Sequence, residues 1–163
     1  MKILRFASVL IGSCLLVGCA GKPAVSTPDA VSSASQVFYQ SSSLTGDELL
    51  EAIRQADGSC TIATVNADGS PNLIVSVAGV ADDDHLVFGW ADNATKANLL
   101  RDKQAIIAYY IYDKDGAEKN NRHRGARLVC QLEEDEAVLQ KLEESSGASQ
   151  GTFLRIVETL PIG

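Results

Sequence analysis

His85-Leu-Val-Phe-Gly-Trp-Ala-Asp-Asn-Ala-Thr-Lys-Ala-Asn-Leu-Leu100 reads as a strand running straight into a short helix. Leu86, Val87, Phe88 and Trp90 have the apolar and aromatic character of a buried strand. Asp92 or Asn93 can cap the helix that Thr95 and Lys96 open and Ala97, Leu99 and Leu100 continue. A helix start exposes N–H groups and a partial positive charge, so a lysine there is out of place on its own. An anion resolves the conflict. A phosphate held by the N–H groups, the Thr95 hydroxyl and Lys96 would suit the joint. The plainer alternative is a capped helix with a solvated lysine.

Outward from this joint the chain reads as short strands. Residues 60–66 and 72–80 flank an Ala67-Asp-Gly-Ser70 hairpin turn, and 85–91 is the third strand. Residues 104–113 form the fourth, and 124–132 the fifth, with Ala126, Leu128, Cys130 and Leu132 on one face. Residues 152–159 are the last. Thr45-Gly-Asp-Glu48 has the form of a capping box, with Leu44 and Leu49 as its staple and Gly58 as the helix end. An amphipathic helix follows at 134–144. Six short strands with few helices predict a mainly β fold, a small antiparallel β-barrel. In the fourth strand Ile106, Ala108, Tyr110 and Tyr112 alternate with Ile107, Tyr109 and Ile111, so both faces are apolar. The core needs one; the other predicts a second copy of the chain.

Before the domain, Lys2 and Arg5 precede an apolar run at 9–17 that ends in Leu16-Val-Gly-Cys19-Ala20. The order resembles the leader and lipobox of bacterial lipoproteins. It implies a signal peptide over 1–18, lipidation of Cys19 and a protein anchored to a membrane in the cell envelope, on the extracytoplasmic side. Residues 19–43, poor in charge and rich in Ser, Ala, Pro and Thr, read as a flexible tether, leaving 44–163 as the folded domain.

The 14 basic and 21 acidic residues give a net charge of −7, and removing Lys2 and Arg5 makes it −9. Such a balance argues against a nucleic-acid partner. Asp82-Asp-Asp84 reads as a turn, since consecutive carboxylates cannot all face one ion without a dedicated loop, and His85 reads as a surface residue behind it. Cys60 and Cys130 sit in strands, either paired or as two buried free thiols. Arg122, His123, Arg124 and Arg127 form the one basic cluster, and Arg124 and Arg127 are candidates for phosphate or substrate contacts. No hydrolase triad is legible.

In order and spacing, these pieces resemble the FMN-binding split-barrel family, the group that includes pyridoxamine 5'-phosphate oxidase. The likeness covers roughly 44–163. It rests on Ala63-Thr-Val-Asn-Ala-Asp-Gly-Ser-Pro71, similar to the family's first hairpin, and on the segment 88–99. Arg124-Gly-Ala-Arg-Leu-Val-Cys130 adds a strand that often carries glycine at the Cys130 position. The resemblance implies a six-stranded split barrel and a homodimer with FMN at the subunit interface. Lys96 matches the family's phosphate lysine, and Thr95 stands where some members have arginine. Ile74, Val75, Ser76 and Val77 match the strand whose backbone passes the flavin ring, with Ile74 in place of a frequent arginine. Gly89 and Trp90 match a Tyr-Thr pair that touches FMN. The vitamin-making oxidase's C-terminal tryptophan and arginine motif has no counterpart, Trp90 being the only tryptophan. The expectation is an FMN-dependent oxidoreductase acting on a small acceptor. A non-catalytic flavin or haem module, or a domain that has lost its cofactor, are the alternatives.

Overall fold

A computed structural model describes residues 40, 42–56 and 58–163. The expected signal peptide, Cys19 and nearly all of the tether lie outside the described residues. Eleven elements follow in the order α1 (Gly46–Arg54), β1 (Ser59–Val65), β2 (Pro71–Ser76), β3 (Gly79–Val80), β4 (His85–Phe88), α2 (Ala94–Asp102), β5 (Gln104–Tyr112), α3 (Lys119–Arg122), β6 (His123–Leu132), α4 (Glu136–Ser146) and β7 (Thr152–Leu160). Every paired strand is antiparallel, in the order β2-β1-β5-β6-β7-β4-β3.

The curvature of this sheet follows from its connectivity. Seven strands laid flat would separate the outer two by about 29 Å. Yet β2 and β3, at opposite edges, are joined only by Val77 and Ala78. So short a link spans about 10 Å at most. The sheet therefore curls on itself into a mainly β, antiparallel split barrel. The strand count is seven rather than six. The run 72–80 breaks into β2, which pairs with β1, and β3, which pairs with β4. The chain must leave one edge to reach the other, and Gly79 allows it: a Cβ there would stand 2.9 Å from Val87 Cγ1.

Alternation sets the inside. Cys60 and Ile62 of β1, Ile107 and Tyr109 of β5, and Ala126, Leu128 and Cys130 of β6 fill the core with Leu86, Phe88 and Leu154. The two cysteines are free and buried; burial pushes the Cys60 thiol up to about 11 and that of Cys130 to about 12, where neither is a nucleophile.

Helix α1 closes the barrel, with Leu49, Leu50 and Ile53 buried and the Tyr109 hydroxyl donating to Ala52 O at 2.8 Å. Leu44 and Leu49 are both buried, as a staple requires. The capping box is not made, since Thr45 forms no side-chain cap. Nor does Gly58 end the helix. Gln55 caps it and Ala56 takes the left-handed φ of 54°. Gly58 serves close packing instead, because a Cβ would lie 2.6 Å from Tyr110 O. Helix α4 starts two residues later than expected because Asp135 accepts from the N–H groups of Ala137 and Val138. The polar segment before β6 contains the short α3.

Candidate functional site

The curl brings the free ends of β2 and β4 together beside the start of α2. Trp90, two residues past β4, stacks on Phe88 with ring centroids 4.4 Å apart, and its indole N–H donates to Ser76 Oγ at 3.0 Å. Four residues before Ser76 on the same face of β2, the Asn72 amide donates to Thr95 Oγ1 at 2.8 Å. Ile74 lies half-buried between them. Gly89 has nothing within 4 Å of where its Cβ would stand, so the backbone of the joint is open to a ligand. Ile74, Ser76, Gly89, Trp90, Thr95 and Lys96 thus share one neighbourhood. Val75 and Val77 point the other way and are 70% and 64% exposed.

Asn93 caps α2, accepting from the Lys96 N–H at 2.9 Å. The N–H groups of Ala94 and Thr95, also in the first turn, have no intrahelical acceptor and point out of the helix start. The Lys96 ammonium reaches Asp92 at 3.0 Å, but that carboxylate is 97% exposed. A pair so placed contributes little, and Lys96 can leave it for another anion. The Thr95 side chain is fully buried against Asn72 and offers no face to solvent. Lys96 also lines a cleft of about 380 Å³ together with Leu99, Leu132, Leu139, Phe153 and the acidic Glu133, Glu134 and Glu136. That cleft takes in none of Ile74, Ser76, Trp90 or Thr95.

Arg124 and Arg127 are engaged elsewhere. Arg124 pairs with Glu48 of α1, and Arg127 donates to Pro161 O at 2.8 Å. His85 is 7% exposed rather than a surface residue, with Nδ1 2.8 Å from Asp82 and Nε2 3.4 Å from Glu133. The sequence reading also passed over Thr64, Asn66, Asn72 and Asn98, which link α2 to the β1–β2 hairpin. A signal was there: Thr64 falls on the inward period of Cys60 and Ile62, and Asn98 precedes the buried Leu99. Polar residues at core positions announce a network.

The donor set fits a phosphate: one ammonium that is easily freed, two unpaired N–H groups and the positive end of a helix. Beside it, an indole, a half-buried isoleucine and a hydroxyl suit a flat ring with polar edges.

The family model for pyridoxamine 5'-phosphate oxidase matches residues 46–157. An FMN-binding protein from Syntrophomonas wolfei has a similar structure, at 15% identity and a TM-score of 0.50, with 80% of this chain and 89% of that one covered. A histidine-to-alanine variant of HupZ from group A Streptococcus is similar at 21% identity and a TM-score of 0.51, with 72% and 100% covered. At these identities the likeness is one of fold. No curated protein sequence matches.

Proposed function

The chain belongs to the pyridoxamine 5'-phosphate oxidase family, and from that premise we propose that it binds FMN at the joint between β4 and α2. One observation carries the reading: the open backbone at Gly89 adjoins the Trp90 that pairs with Ser76, and the start of α2 that bears Lys96 follows a few residues further along the same joint. Lys96 and the Ala94 and Thr95 N–H groups hold the phosphate, with Thr95 entering through its backbone. Ile74, Ser76 and Trp90 flank the ring on the β2 side. FMN, when bound, supplies two-electron transfer. The protein orients it, and Phe88 behind Trp90 keeps the indole from collapsing into the opening.

The working unit is a homodimer. Leu73 and Val75 of β2, Val65 of β1, and Tyr110 and Tyr112 of β5 are exposed. Their strands are neighbours in the sheet. The partner's sheet covers this apolar face, which no monomer core uses.

The activity is oxidoreduction of a small acceptor, in a protein anchored through Cys19 on the outer side of a membrane. A second reading has a specific support: Ser76, Trp90 and Asn72 include no acid or base, which suits a non-catalytic carrier of a flavin or haem equally well. The absorption spectrum of the purified full chain separates these. A flavin spectrum bleached by a reductant and restored by a small acceptor supports the enzyme, a Soret band the haem module. Membrane fractionation of Cys19→Ser tests the anchor, since wild-type partitioning of that variant removes it.

A further inference from the structure

Helix α2 buries only Thr95, Asn98 and Leu99, so little apolar surface holds it to the barrel. Its attachment to the β1–β2 hairpin is polar. The Thr64 hydroxyl oxygen accepts from the Asn72 amide at 3.0 Å and from the Asn98 amide at 3.1 Å. The Asn72 amide continues to Thr95 Oγ1 at 2.8 Å, and the Asn98 amide to Asn66 Oδ1 at 3.0 Å. Arg101 adds a bond from Nη1 to Asn98 Oδ1 at 3.2 Å. Thr64, Thr95 and Asn98 are 7%, 0% and 4% exposed. The buried Thr64, Thr95 and Asn98 side chains have few alternatives to these partners, so the network is stiff and fixes one relative placement of helix and strand.

We propose that Thr64 is a positioning residue for the site. Its one oxygen ties β2, through Asn72, to α2, through Asn98. Together with the direct Asn72–Thr95 bond, it sets where the helix start with Lys96 stands relative to Ser76 and Trp90. Thr64 itself is buried in β1, and its oxygen is taken up by the two amides. The proposal rests on the flavin reading for its ligand, but the mechanical role belongs to the chain alone.

Thr64→Val keeps the shape and branching of the side chain and removes the oxygen, whereas Thr64→Ser keeps the oxygen. FMN and riboflavin are titrated into the purified full chain of each, and hydrogen exchange is followed at the hydrogen-bonded amides of α2, residues 97–102. Thr64→Val is expected to weaken FMN binding at least about tenfold and riboflavin binding less than about threefold, because only FMN uses the helix start. Its α2 amides should exchange faster while those of β5 and β6 do not change. Thr64→Ser should match wild type. Equal losses for the two flavins, or unchanged exchange at α2 in Thr64→Val, overturn the positioning role. If wild type binds neither flavin, the flavin reading fails by itself, and exchange at α2 still decides the role of Thr64.

Discussion

His85 shows how far a single residue can be misread from its neighbours. Three aspartates precede it, which suggests a wet turn, yet it is buried because its second partner, Glu133, lies 48 positions away. No local pattern could place that contact. Glu133 accepts from the Asp135 and Glu134 N–H groups at 2.9 Å each, and Arg155 stands 3.9 Å from it. The Asp135 N–H, above all, holds the Glu133 carboxyl below its usual range, with burial opposing and His85 assisting. For Asp82, partial burial pushes upward, but the Asp84 N–H and His85 outweigh it and the carboxyl is again lowered. A carboxyl lowered on folding stabilises fully above its unfolded value, near about 4, and loses that contribution as pH falls through the folded one. Thermal melts from neutral pH downward should therefore fall more steeply below about pH 4 for wild type than for Glu133→Gln. Parallel curves would mean that Glu133 is not held by these partners. At this scale Lys96 and Trp90 were legible because each conflicted with, or stood out from, its local context. Asn72 was not, and Thr64 showed only its inward period, because a hydroxyl or amide facing inward names its partner only when the partner's strand is placed.

Among elements, helix starts separate motif from geometry. Thr45-Gly-Asp-Glu48 has the letters of a capping box, but Gly46 takes a φ of 52° and the Thr45 side chain makes no cap. Asn93 and Asp135 do accept from first-turn N–H groups. Thr45→Ala should then cost less than about 0.5 kcal/mol, against about 1 kcal/mol for Asn93→Ala. Urea unfolding measures both, and a Thr45→Ala cost equal to that of Asn93→Ala would contradict the cap assignments. Strand existence was legible throughout, since alternation and β-branched content carried it. The break between β2 and β3 was not. Residues 72–80 are uniformly strand-like, and only the need to pass from β1 to β4 divides them.

For the whole molecule, the barrel class followed from counting strands and turns, whereas its closure depends on a two-residue link between opposite edges. The alternation of β5 was legible in full: Ile107 and Tyr109 are buried, and Tyr110 and Tyr112 are 39% and 60% exposed on the other face. If a second copy covers that face, light scattering at tens of micromolar should give a dimer, and Val75→Lys should shift it toward monomer by placing a charge on the most exposed apolar side chain of the patch. A monomeric wild type would remove the interface. The central claim is that the barrel holds FMN by its phosphate at the start of α2. Lys96 then supplies one charge-assisted contact worth about 1.5–3 kcal/mol. Titration of FMN and riboflavin into wild type and Lys96→Ala reads it most directly. The account predicts a roughly ten- to hundredfold loss of FMN affinity with riboflavin nearly unchanged, and equal losses for both flavins, or no FMN binding by wild type, would contradict it.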